Sequence, residues 1–117
     1  MPTMSPVPSD RERRLALNEA AFRVANERIR NWPERRGHEQ PARYYCECAQ
    51  ASCHEQVLMS SGEYERVRAD SHRFVIVPGH EVPDIERIVE RADRYFVIEK
   101  NPEVHGITEM TDPRNDE

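Results

Sequence analysis

A chain of 117 residues with a hydrophobic fraction of 37%, a third of its residues charged and a mean hydropathy of −0.90 has material for one small core, which excludes a multidomain enzyme. Its net charge of −5 is divided as +3 over residues 1–44, −2 over 45–80 and −6 over 81–117, so only the N-terminal third suits a phosphate backbone. No run approaches the roughly eighteen apolar residues of a membrane-spanning helix.

Residues 1–8 are small and Pro-rich and read as a flexible lead. They lack a basic region followed by an apolar run, so the expected compartment is the reducing cytosol. Ser9 with Glu12 is a capping box, in which hydroxyl and carboxylate each satisfy a free backbone N–H, and it predicts a helix over 9–32. Pro33 and Gly37 end it. Leu15, Phe22 and Ile29 recur at heptad spacing, with Asn18, Ala25 and Trp32 between them and Leu17, Ala21 and Val24 broadening the stripe. Such a helix is on the order of 30 Å long, more than a sixty-residue domain covers. The Leu15/Phe22/Ile29 face therefore either packs on the rest of the chain or docks on a second copy or another protein, with Asn18 setting register. Arg11, Arg13, Arg14, Arg23, Arg28 and Arg30 alternate with Glu12, Glu19 and Glu27, the pattern of a solvated face.

Residues 33–42 lack apolar periodicity and read as a linker. Residues 43–48 read as a strand that places Cys46 and Cys48 on one face, with Cys53 returning through a short turn. A second capping box, Ser60 with Glu63, opens a helix running to about Asp70. Met59 staples onto Tyr64, Tyr64 and Val67 face inward, and Glu63, Glu65, Arg66 and Arg68 face outward. The apolar run Phe74, Val75, Ile76, Val77 reads as the central strand, stopped by Pro78-Gly79 just before His80. Residues 85–91 and 95–100 read as a hairpin turning through Ala92, Asp93 and Arg94. Residues 101–117 are acidic and aperiodic and are expected to be a disordered tail.

Three cysteines within eight residues cannot pair fully as disulfides, and soft thiolates with an imidazole suit Zn²⁺. Cys46, Cys48, Cys53 and His80 are the expected ligands of one zinc per chain, because His80 sits at the end of a rigid strand. His72 is the next candidate. His54 is too close to Cys53, and His38 and His105 fall in segments expected to be flexible. A small core gains folding free energy from such a metal. Cys46 and Cys48 could instead form a strained disulfide that ejects the metal. Glu47 or Glu55 would be a candidate base only if His80 left a ligand position open. The deaminase, H-E-x-x-H, Gly-rich phosphate-loop and G-x-S-x-G patterns are all missing, so no catalytic residue is assigned.

The line from Cys46-x-Cys48-x4-Cys53 through Gly62-Glu63-Tyr64-Glu65-Arg66-Val67-Arg68, Phe74 to His80 and the Glu86 to Lys100 hairpin resembles a group of small, functionally uncharacterised, zinc-ribbon-like actinobacterial proteins. Arg14 to Ala20 and Thr111 to Arg114 extend the resemblance, while Ala49 and Arg94 stand where that group usually has Gly. It implies that the three cysteines belong with Pro78-Gly79-His80, and it implies no activity. The reading is an α+β protein: a long N-terminal helix, then a zinc-stapled antiparallel sheet with one short helix over residues 43–100. Its expected task is protein interaction or regulation through the N-terminal helix. A thiol redox switch is the alternative, and nucleic-acid binding by the arginine-rich helix ranks below both.

Overall fold

The structure, a computed structural model, describes residues 8–31 and 41–116. Most of the expected lead and linker, with Trp32 and His38, lies outside the described residues. The fold is mixed α+β. Helix α1 (Asp10–Arg30) starts at the predicted box: the Glu12 N–H donates to Ser9 Oγ at 3.1 Å and the Ser9 N–H donates to Glu12 Oε1 at 2.8 Å. Strands β1 (Ala42–Tyr45) and β2 (Gln56–Met59) form an antiparallel ribbon, and α2 (Ser61–Arg68) follows on the Ser60/Glu63 box. Strands β3 (Arg73–Ile76), β4 (Glu86–Arg91) and β5 (Phe96–Lys100) form a second antiparallel sheet in the order β3-β5-β4. Helix α3 (His105–Met110) lies between the 3-10 turns Pro102–Val104 and Pro113–Asp116. No described helix is long and apolar enough to cross a membrane.

The central strand is therefore β5, and the apolar run expected at the centre forms an outer strand of its sheet. That run is unbroken because both its faces are covered, the condition that removes polar alternation from a strand. Val75 and Val97 join Tyr44, Val57, Met59, Tyr64 and Val67 in one core. Phe74, Ile76 and Ile98 pack on the opposite side with Cys46 and Cys48. Tyr44 and Tyr64 stack at 4.5 Å in the first core, and Met59 and Tyr64 meet there as predicted.

The segment expected as a disordered tail is folded. Val104 and Ile107 bury against Ala16 of α1, so the helix that looked too long for its domain is covered by residues whose apolar content is sparse but well placed. Charge closes the same contact. Arg68 pairs with Glu27 at 2.9 Å and with Asp112, while Arg114 reaches Glu27 at 2.9 Å and Glu65 at 2.7 Å.

The orientation of α1 also differs from the periodicity reading. Its buried residues are Ala16, Glu19, Ala20, Arg23, Asn26 and Glu27, whereas Leu15, Phe22 and Ile29 lie half-buried on one flank. Ile29 packs against the main core, as one branch of the stripe reading expected, but the deepest positions of α1 are largely polar because each buried polar group meets a partner supplied from elsewhere along the chain. Lys100 Nζ stands 2.7 Å from Glu19 and 2.8 Å from Glu86, all three side chains being fully buried. Arg23 donates to the Ser71 and Thr108 carbonyls at 2.6 and 2.7 Å and lies 4.4 Å above the Phe74 ring. Glu19, Arg23, Glu27 and Arg68 are thus interior groups and not members of solvated faces. Burial, and then Glu86, push the Glu19 carboxyl well above the usual range, against the pull of Lys100.

Removing one partner from such a network leaves the other charge buried and alone. Burial would raise the Asp112 carboxyl, but hydrogen bonds from Arg68 and the Arg114 N–H outweigh it and hold the group below its ordinary value. Stability from a lowered carboxylate is present above its unfolded pKa and is lost as pH falls through the folded one. Asp112→Asn is expected to cost about 3 kcal/mol at pH 7 by urea unfolding. The difference from wild type should begin to shrink as the pH drops below about 4, where Asp112 of the unfolded chain takes up a proton, and shrink further as the pH falls through the lower folded value. A cost that is the same at pH 7 and pH 3 would show that the charge on Asp112 is irrelevant.

Candidate metal centre

Cys46, Cys48, Cys53 and His80 converge, and their ligand atoms all lie within 4.8 Å of one another. Each arrives by a separate backbone device. The strand expected over 43–48 stops at Tyr45, because the backbone there changes partners: the Cys46 N–H donates to the Glu55 carbonyl at 3.0 Å and the Glu47 N–H to the Val75 carbonyl at 2.7 Å. Extended alternation is retained through the crossing, so the two thiols face one way and Glu47 the other. Cys53 closes a turn by donating its N–H to the Gln50 carbonyl at 3.0 Å. His80 closes another on the Val77 carbonyl at 3.0 Å, with Pro78 and Gly79 at the corner and Gly79 at φ +96°. That is the type II turn, whose third residue favours Gly.

Separations at the centre suit a four-coordinate ion. His80 Nδ1 lies 3.5 Å from Cys46 Sγ and 3.7 Å from Cys53 Sγ. A tetrahedron with metal–sulfur bonds of about 2.3 Å and a metal–nitrogen bond of about 2.05 Å has an S···N edge of about 3.6 Å. The Val77 N–H donates to Cys46 Sγ at 3.1 Å, which stabilises negative charge on that sulfur. The hydrogen bond between Cys46 and Cys48 divides a proton unequally: it lowers Cys48 to about 5, with burial opposing, and raises Cys46 above the ordinary thiol range, with burial assisting. Burial raises Cys53.

Glu55 is not placed as a base. Its Oε2 lies 2.8 Å from His80 Nε2, so it orients the ring and leaves Nδ1 turned toward the sulfurs, the usual role of a carboxylate behind a ligating histidine. Glu47 is not a base either, being fully buried. Its Oε2 accepts from Asn26 Nδ2 and from the Tyr64 hydroxyl, each at 2.8 Å, and its Oε1 accepts from the Val75 N–H at 3.0 Å. Burial pushes this carboxyl up, and the donors pull it back. Asn18, read as a register residue, donates to the Ala49 carbonyl at 2.8 Å and ties the cysteine loop to α1.

The other described histidines are not among the converging donors. His72 bonds Thr108 Oγ1 at 2.8 Å and stacks on His105 with ring centroids 3.7 Å apart, and His105 donates to the Lys100 carbonyl at 2.9 Å. His54 lines an open cleft of about 530 Å³ whose floor includes Cys48, Cys53 and His80. Asn26 and Tyr64 are the supporting residues that periodicity could not assign to the site. The available signal was Glu47 itself, which alternation aims away from both thiols and into the interior.

The chemistry open to this donor set is metal binding, and it is the coordinating capacity of Cys46, Cys48, Cys53 and His80 that the geometry establishes. Glu55→Ala is expected to weaken metal binding about tenfold in a chelator competition, the low end for an orienting carboxylate because the Glu55 side chain is 61% exposed. Unchanged affinity would make the Glu55–His80 contact incidental. Comparison with protein-family models, with curated proteins and with solved structures finds no match to this chain.

Proposed function

We propose that this chain is a small zinc protein in which the metal fixes the fold and the folded surface binds another protein. One observation carries the metal part: three thiols and one imidazole nitrogen converge at S···N spacings of 3.5 and 3.7 Å. Thiolate with imidazole selects zinc over the hard cations, which prefer oxygen. Four protein donors complete a tetrahedron, the arrangement of structural rather than catalytic sites. The ion would join the Cys46–Cys53 loop to the turn after β3, two segments otherwise held together by few backbone bonds. The motif resemblance to small zinc-ribbon-like proteins agrees with this reading. Elemental analysis of freshly purified protein is expected to give one zinc per chain. His80→Ala should lose most of it, with a fall in thermal midpoint that chelator reproduces in wild type. Absence of zinc, or full retention in His80→Ala, would overturn the proposal.

A redox reading has one observation in its favour. Cys46 and Cys48 are each 1% exposed, whereas Cys53 is more open, so an oxidant entering the cleft that Cys48 and Cys53 both line would reach Cys53 first. A hydroperoxide would convert the Cys53 thiolate to a sulfenic acid and leave as the alcohol or water. The Cys48 thiolate would then displace hydroxide from that sulfur, completing a two-electron oxidation and removing two metal ligands together. Peptide mapping after brief peroxide treatment should find a Cys48–Cys53 disulfide matched to released zinc. Zinc retained under oxidant would exclude the switch.

A further inference from the structure

Helix α1 buries charge and exposes apolar residues. Arg14, Leu17, Ala21, Val24 and Arg28 follow one another at spacings of three and four, the seam of a helix pair, and all five face outward. Leu17 is 48% exposed and Val24 37%. The seam spans about 21 Å, with Ala21 at its centre where a second backbone can approach closely. Arginine stands at both of its ends. The side chains of Arg14 and Arg28, and of Arg13 and Arg43 beside them, have no ion-pair or hydrogen-bond partner among the described residues, although the chain as a whole carries −5. The carboxylates that interleave with them in sequence do not balance them in space. Glu19 and Glu27 point inward to Lys100, Arg68 and Arg114, and Glu12 is held in the capping box.

We infer that this outward seam binds a helix of a different protein, one whose small apolar stripe is flanked by carboxylates. The inference rests on the interaction-module reading and adds its surface and the chemistry of its partner. Charge selects the occupant. A second copy paired antiparallel about Ala21 sets Arg14 against Arg28, and a parallel copy sets each arginine against itself, so both symmetric pairings oppose like charges. A nucleic acid would meet Leu17, Ala21 and Val24 between its two phosphate contacts, burying apolar side chains against nothing suited to them. An acidic amphipathic helix satisfies both the ridge and its ends.

Two fluorescein-labelled helical peptides test this. They share a Leu-Ala-Leu seam and differ in carrying Glu or Lys at the positions that would face Arg14 and Arg28. Anisotropy titration of the full chain should give saturable binding of the Glu peptide, at least tenfold weaker for the Lys peptide, and weakening as salt rises. Leu17→Ser with Val24→Ser should reduce binding at least tenfold while leaving metal content and circular dichroism unchanged. Arg14→Glu with Arg28→Glu should reverse the preference toward the Lys peptide. No saturable binding of the Glu peptide, binding indifferent to these substitutions, tighter binding of a DNA duplex, dimerisation of the chain alone in sedimentation, or unfolding of the Ser variant would each overturn the inference. Lack of zinc in wild type would count against the metal reading separately, because the seam is read by peptide binding.

Discussion

The Glu47 carboxylate is the joint on which the other contacts depend. It sits between two cysteines of the Cys3His cluster, yet it faces the opposite way and is saturated by Asn26 from α1, Tyr64 from α2 and the Val75 N–H of β3. A buried carboxylate is costly unless donors surround it, so its presence forces those three elements into one arrangement. The same peptide unit then has only one way to aim Cys46 and Cys48. Interior electrostatics and the aim of two of the three clustered thiols are thus set by a single tripeptide, Cys46-Glu47-Cys48. The Asn26 side chain extends the joint by bonding both the N–H and the carbonyl of Tyr45, at 2.7 and 2.8 Å, as a neighbouring strand would.

The local parts of the fold were legible in the sequence. Both capping boxes, the helix starts, the β4–β5 hairpin and the Pro78-Gly79 turn depend on residues within a few positions of one another, and short-range stereochemistry fixes them. The clustering of Cys46, Cys48, Cys53 and His80 was legible for a related reason, since thiols crowd together only when chemistry requires it and His80 stood at a stiff corner. What could not be read was the direction in which α1 faces. Periodicity counts apolar residues, and α1 is held largely by ions whose counterparts lie 35 to 87 residues away. Arg68 was misread in the same way, because a charge is assigned to solvent unless its partner is in view.

Residues 101–116 show the complementary failure. Their composition is that of a disordered tail, and composition is a fair guide when a segment must bury apolar area to fold. This one folds by supplying two apolar side chains, one ion-pair partner and one carbonyl acceptor to α1, and a second ion-pair partner to α2. Val104 and Ile107 meet Ala16, Arg114 and Asp112 join Glu27 and Arg68, and the Thr108 carbonyl receives Arg23. Few residues suffice because every one of them completes a contact begun elsewhere.

The placement of those counterparts along the chain has a consequence for biosynthesis. Helix α1 is made first, but Glu19 waits for Lys100, Arg23 for Thr108 and Glu27 for Arg114. While the remainder is being translated, the nascent helix has neither its neutralising charges nor its covering segment. Asn26 can meet Tyr45 and Asn18 can meet Ala49 early, but the charged contacts of α1 are completed late, by loop closure over more than eighty residues, and such long-range contacts form slowly. During that interval the face destined for the interior is the more water-soluble of the two, so the unfinished chain hides little and exposes little that would make it aggregate. An ionic interior thereby gives the newborn helix a solubility that an apolar one would have denied it.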